Sequence, residues 1–204
     1  MRVPREREAV SPTPIGLEKL LLVEGETPAN FFDAITREIG LDLAIEIRSY
    51  NGTSQLGTYL KTLVLSAGFS ALVKTLGIVR DAEGDSHGAR QSINSAITNA
   101  RIPKGVRVEV AILPDSGTPG MIETLFLRSV QTSPVFECID DFLKCVSSRN
   151  VILPSGPVLD KHIMQIYLAT LPKPQMMPGT ASHRGAWPFD HAAFNEIKDF
   201  LRGL

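Results

Sequence analysis

The feature that most restricts the fold is an alternation of short apolar runs with helix-period segments, repeated four times between residues 17 and 130. Lys19-Leu20-Leu21-Leu22-Val23 is a continuous apolar run that stops at Glu24-Gly25. That is the pattern of a strand buried on both faces. Thr27-Pro28 predicts a helix start, a capping hydroxyl followed by proline at the first position. Phe31, Ile35 and Ile39 supply its apolar stripe and Gly40 closes it. Ile45 to Tyr50 alternates as a strand, and Leu56, Leu60, Leu63, Val64 and Ala67 mark the next helix. Leu76 to Val79 is a third strand ending at Arg80-Asp81, with Ser86 as the cap of a helix carrying Ala89, Ile93, Ile97 and Ala100. Val106 to Leu113 is the fourth, ending at Pro114-Asp115, after which Thr118-Pro119 opens a helix through Ile122, Leu125, Phe126 and Ser129.

Strands alternating with helices predict an α/β fold: a mostly parallel four-stranded sheet flanked by helices. Hydrophobic residues make up 43% of the 204-residue chain, which is enough to build such a core and excludes wholesale disorder. Beyond residue 130 the pattern turns helical. Ile139, Phe142, Leu143 and Val146 form one stripe and Leu159, Ile163 and Ile166 another, with Lys161 off that stripe. The prolines at 172, 174, 178 and 188 predict an extended connection, and Asp190 a cap for a last helix bearing Phe194, Ile197 and Leu201. The expected organisation is a lead-in over residues 1–16, an α/β core over 17–130 and a helical C-terminal extension over 131–204 packed on that core.

Composition removes several function classes. With 21 basic and 22 acidic residues the chain is no polycationic nucleic-acid coat, although a local basic patch remains open. The two cysteines, Cys138 and Cys145, sit two helical turns apart, roughly 10 Å, too far for a disulfide and too few for a thiolate zinc site. No apolar run reaches the length of a membrane span and no signal-peptide core opens the chain, so a cytoplasmic protein that avoids membranes is expected. There is no phosphate-binding loop with its lysine, no dinucleotide glycine fingerprint and no Gly-x-Ser-x-Gly. His87, His162, His183 and His191 show no paired metal spacing.

What remains is acidic. In open parallel sheets, sites form beyond the carboxyl ends of the strands. Glu24, Asp81 and Asp115 each follow a predicted strand, which sets them along one edge. Asp81-Ala82-Glu83-Gly84-Asp85 adds carboxylates at alternate positions. Converging carboxylates repel one another, and a divalent cation relieves that cost. Hard oxygen ligands without cysteine or histidine favour magnesium or manganese. A calcium loop of the EF-hand type is excluded, because its sixth and twelfth positions would be Ser86 and Ser92 instead of glycine and glutamate.

These residues resemble a known family. Leu21-Leu22-Val23-Glu24-Gly25 before a helix is similar to the first motif of TOPRIM domains, and Ile78-Val79-Arg80-Asp81-Ala82-Glu83 to their second, the strand-terminal acidic motif. Gly120 to Leu125 and Gly179 to Trp187 resemble segments of small stand-alone TOPRIM-like proteins of unknown function, related to the OLD-like nuclease branch. The resemblance implies a TOPRIM-like, Rossmann-like fold. It implies a metal-dependent nuclease, hydrolysing phosphodiesters of DNA or RNA with Mg2+ or Mn2+, in defence or nucleic-acid processing. It makes Glu24 and Asp81 catalytic and metal-binding residues, adds Glu83, Asp85 and Glu123 to the metal set, and matches Lys161 to a lysine that offsets phosphate charge. Two positions depart from the family pattern: Pro28 stands where many relatives carry an acid, and Glu83 where they carry aspartate.

Arg80, Arg90, Arg101, Lys104 and Arg107 are the candidate nucleic-acid contacts. The alternative expectation is a catalytically weak binding module that acts with a protein partner such as an ATPase. A homodimer is a further expected partner state, and a small-molecule phosphate enzyme on the same metal site is a third reading.

Overall fold

The computed structural model describes residues 14–175 and 177–204, so most of the expected lead-in over residues 1–16 lies outside the described residues. Four strands, β1 (Lys19–Val23), β2 (Ile45–Ser49), β3 (Thr75–Asp81) and β4 (Arg107–Leu113), form one sheet in the order β2-β1-β3-β4. Every pairing is parallel. The connections are helices α1 (Glu26–Glu38), α2 (Leu56–Leu65) with the short α3 (Phe69–Leu72), and α4 (Ser86–Ala100). After β4 come α5 (Ile122–Val130), α6 (Val135–Ser148), α7 (Pro157–Thr170), α8 (Pro178–Ser182) and α9 (Asn195–Gly203). The chain is therefore an α/β protein with a four-stranded parallel sheet flanked by helices and a helical C-terminal extension.

The apolar runs divide by residue parity, as strand geometry requires. Leu20, Leu22, Leu76, Ile78 and Ile112 point to one face and pack with Leu56, Leu60, Leu63, Phe69 and Ile93 of α2 to α4. Leu21, Val23, Val79, Ala111 and Leu113 point to the other and join Phe31, Phe32 and Ile35 of α1 and Phe126 of α5. The second cluster continues through Met164, Tyr167, Trp187, Phe194, Ile197 and Leu201. The C-terminal segment thus completes the cover of the face that α1 and α5 begin. Its anchor is Trp187, which is fully buried, stacks on Phe126 at 4.5 Å between ring centres and donates its indole N–H to the Pro178 carbonyl at 3.3 Å.

Several boundaries differ from the sequence-based expectation, each for a local reason. α1 begins at Glu26 with Gly25 as its N-cap, so Pro28 sits within the first turn, where its missing N–H costs no helical bond. α4 is capped by Asp85, whose carboxylate accepts from the Gly88 amide; Ser86 is already helical. Thr118-Pro119 does not start α5. The Thr118 hydroxyl donates to Asp115 instead, and the helix begins after Met121. The proline-rich connection contains α8. The last helix is preceded by a 3₁₀ turn, Ala192–Phe194, capped by His191 through its ring Nδ1 rather than by Asp190. No helix among the described residues is long and apolar enough to cross a membrane.

α8 lies against α1 at close range because Gly179 has no side chain. A Cβ there would stand 2.9 Å from both the Cα and the carbonyl oxygen of Thr27. Those are backbone atoms, so α8 would have to lift. We expect Gly179→Ala to lower the melting temperature by roughly 3–10 °C, as overpacking in a chain of this size does. Thermal melts of the two proteins check this; an unchanged value would mean that the α1–α8 contact is loose.

Candidate functional site: an acidic cluster at the carboxyl edge of the sheet

Because all four strands are parallel, their carboxyl ends share one edge. Glu24 follows β1, and Asp81 is the last residue of β3. Asp81 is half-buried and accepts the Ile122 amide on Oδ1 at 3.0 Å, which ties the end of β3 to the first turn of α5. That turn carries Glu123, only 9% exposed. In the first turn of α7, Asp160 accepts the Thr124 hydroxyl at 2.5 Å, which sets the neighbouring Lys161 beside the acids. Glu24, Asp81, Glu123 and Lys161, distant in sequence, therefore share one electrostatic environment.

The acids are under strain of charge. Burial pushes the Asp81 carboxyl up to about 8, and the charges of Glu123 and Glu24 add to it, while the Ile122 amide and Lys161 oppose it. Glu24 is raised mainly by burial and by Glu83, against Arg80, the Thr53 amide and Lys161. Glu123 is raised by burial and Asp160, against its own amide and Lys161. Oε2 of Glu24 and Oε2 of Glu123 are buried without a hydrogen-bond partner. Buried carboxylate oxygens are ordinarily paired, so these two are unspent ligand capacity. Hard, anionic and unpaired oxygen donors are the donor set a small divalent cation takes. Among the described residues, however, no three His, Cys, Asp or Glu stand close enough together to make a ready metal cage.

Other candidates are placed differently. Glu83 is exposed next to Glu24, in the left-handed region with φ 51°, and its main chain pairs with Gly120 through N–H···O bonds of 2.7 and 2.8 Å. Asp85 caps α4 and uses its carboxylate there. Asp115 stands at the same edge but is taken up locally. It accepts from the Gly117 and Thr118 amides at 2.8 Å each and from Arg128 at 2.6 Å. Burial raises its pKa, but these bonds outweigh that and hold it well below the usual carboxylate range.

Arg80 lies between Glu24 and α4. Its Nη1 donates to Ser92 at 2.9 Å and its buried Nε has no partner. Arg90 is in the first half of α4 and half-buried. Arg101 and Lys104 follow the end of α4 and Arg107 begins β4, so the fold sends all three to the opposite edge, about 20 Å of strand from the acids. Arg107 is also occupied, by Glu109 and by the main-chain oxygens of Gly203 and Leu204.

Sequence reading missed Thr53, Tyr50 and Asp160. The Thr53 amide binds the Glu24 carboxylate. Tyr50 is buried behind the acids and donates its hydroxyl to the Val79 carbonyl at 3.1 Å. Asp160 adjoins Lys161, and only the fold shows that it reaches α5.

Comparison with protein families decides membership. The chain belongs to the family described as "Protein of unknown function (DUF3226)", which matches residues 18–204. No curated protein and no solved structure matches it. All the acids and Lys161 lie inside the matched span.

The raised Asp81 pKa has a consequence for folding. In the unfolded chain an aspartate titrates near 3.9, so folding takes up a proton between that value and about 8. Stability is complete below the unfolded value and falls as pH rises through the folded one. Asp81→Asn keeps the acceptor for Ile122 and removes the buried charge. The variant and the parent should melt together near pH 4, with the variant melting higher by roughly 5 °C or more near pH 9. A parent that melts at or above the variant at high pH would contradict the placement of Asp81.

Proposed function

We propose that this protein is a TOPRIM-type, metal-dependent nuclease related to the OLD-like branch, hydrolysing phosphodiester bonds in DNA or RNA. The observation that carries the reading is the pair of buried, unpartnered carboxylate oxygens, on Glu24 and Glu123, flanking an Asp81 that burial and their charges hold protonated. Such a group gains most from a divalent cation, which removes the repulsion that makes it costly. Mg2+ or Mn2+ fits the all-oxygen donor set. Glu24, Asp81 and Glu123 would hold it once drawn closer together than they stand here, with Glu83 as an exposed fourth acid beside Glu24. When bound, such a metal activates water and steadies the leaving oxygen of a phosphodiester.

The remaining steps fall to the chain's own groups. Lys161 is exposed and electrostatically coupled to Glu24, Asp81 and Glu123, so it presents a positive charge where a phosphate would approach. Arg80, held on the α4 side by Ser92, offsets the charge of Glu24. Asp160, through Thr124, keeps Lys161 at the site. Asp85 and Asp115 serve their turns and are left out of the metal set. Of the basic residues, Arg80 and Arg90 are on the side of the sheet where a nucleic acid would lie, whereas Arg101, Lys104 and Arg107 would meet only a strand that wraps to the opposite edge.

A second reading, a weakly active module completed by a partner such as an ATPase, is favoured by one observation. The acids are not drawn into a ready cage among the described residues. A partner that closes the edge would complete it. The two readings separate in a cleavage assay on plasmid, single-stranded DNA and RNA with magnesium or manganese. For an autonomous nuclease, Glu24→Ala and Asp81→Ala should each lose at least ~100-fold in rate, and Lys161→Ala ~10- to 100-fold. Cutting that persists in both acidic variants would overturn the site. No cutting with either metal would favour the partner-dependent module.

A further inference from the structure

We infer that Gly120 is a positioning residue of the acidic site: its two main-chain bonds to Glu83 hold the Glu83 carboxylate beside Glu24, where it serves as a ligand of the cation. The inference rests on the metal reading above. It starts from five consecutive residues, Gly120 to Thr124, that tie the separate parts of the site together. Gly120 bridges to Glu83 in the loop after β3, donating at 2.8 Å and accepting at 2.7 Å. The Ile122 amide holds Asp81. Glu123 is itself one of the buried acids. The Thr124 hydroxyl holds Asp160, the neighbour of Lys161.

Glu83 depends on the bridge. Its φ of 51° lies in the left-handed region, which is costly for a glutamate and free for a glycine. On backbone grounds alone the position suits glycine. A side chain in such a conformation persists only where its surroundings fix it. The surroundings here are main-chain bonds. The Ala82 amide donates to the Leu113 carbonyl at 2.8 Å, and the Gly120 pair follows directly, so the pairing of β3 extends past Asp81. Glu83 is exposed, so its main chain, and not packing, sets where the carboxylate stands. That place is close enough for its charge to act on Glu24.

Only glycine serves at position 120. Its φ is 146°, and a Cβ there would stand 2.8 Å from the Thr124 hydroxyl and 2.9 Å from Cδ of Pro114. The hydroxyl is the one that holds Asp160, and the proline is a closed ring. A side chain at 120 must therefore lift the bridge or displace Thr124. The unpaired Oε2 atoms of Glu24 and Glu123 supply the cation's buried donors. Glu83 adds an exposed one, aimed by the Gly120 bridge.

Mn2+ binding, read from the electron paramagnetic resonance signal of the free ion with no nucleic acid present, tests this apart from catalysis. Glu83→Gln and Gly120→Ala should each weaken binding roughly 10-fold, as loss of a ligand or of its support does. The double variant should bind no more weakly than either single one, because both changes remove the same contact. Glu83→Gly should match Glu83→Gln, since it keeps the left-handed backbone and removes only the carboxylate. If Gly120→Ala fails to fold, hydrogen exchange on the parent decides. Saturating Mg2+ should slow exchange of the Glu83 and Gly120 amides roughly 10-fold, because coupling is reciprocal, and Glu83→Gln should abolish the slowing. A folded Gly120→Ala that binds Mn2+ like the parent overturns the inference. So do losses that multiply in the double variant, or amides left unchanged by Mg2+ in a parent that binds it. A parent that binds neither ion overturns the metal reading itself, and this inference with it.

Discussion

A parallel sheet must be covered on both faces, and the rest of this structure follows from that requirement. Its hydrogen-bonded strands leave apolar side chains above and below, here Leu20 and Leu22 on one side, Leu21 and Val23 on the other. α2, α3 and α4 close the first face. α1 and α5 only begin to close the second. The long C-terminal segment, with Trp187 stacked on Phe126 and Phe194, Ile197 and Leu201 behind it, finishes the task. Trp187 fills a volume between α5 and α8 that no smaller side chain would fill, and removing such a residue from a core ordinarily costs several kcal/mol.

The same cover builds the acidic site. Parallel strands put Glu24 and Asp81 at one edge, but two acids are not a site. α5 turns Glu123 inward because its first turn is bound to Asp81 through the Ile122 amide. α7 arrives as part of the second-face cover, and the Asp160–Thr124 bond sets its Lys161 against the acids. Stability and chemistry then pull in opposite directions. Packing desolvates the carboxylates and raises their pKa values, which burdens the fold, and the same desolvation strengthens any charge they later bind. Unpartnered oxygens on Glu24 and Glu123 are what that compromise leaves behind.

The outer surface of the extension follows a different logic. α6 joins the second-face cluster through Val135, Phe136, Ile139 and Leu143 and leaves Phe142 half in water. Membership of a family of unknown function, matched from residue 18 onward, includes this helix together with the acidic edge.

What the sequence determined by itself was the alternation: four apolar runs with helix-period segments between them, the positions of Glu24 and Asp81 at strand ends, and the helical character after residue 130. Those are local properties, legible because strand and helix periods differ and because a buried parallel strand tolerates few polar residues. Helix starts were less legible, since Asp85 and Ser86, or Thr118 and Met121, compete for one cap and the choice depends on neighbours such as Gly88 and Arg128. Only the tertiary structure decided which acids meet. Asp115 looked equivalent to Glu24 in sequence, yet Arg128, four helical residues further along than Thr124, takes it away. Arg101, Lys104 and Arg107 looked close to the acidic motif, yet α4 carries the chain back to the opposite edge before they occur. Lys161 comes 80 positions after Asp81 and reaches the site because the second face needed a helix there. Contacts of that separation depend on how whole elements pack, which no local pattern encodes.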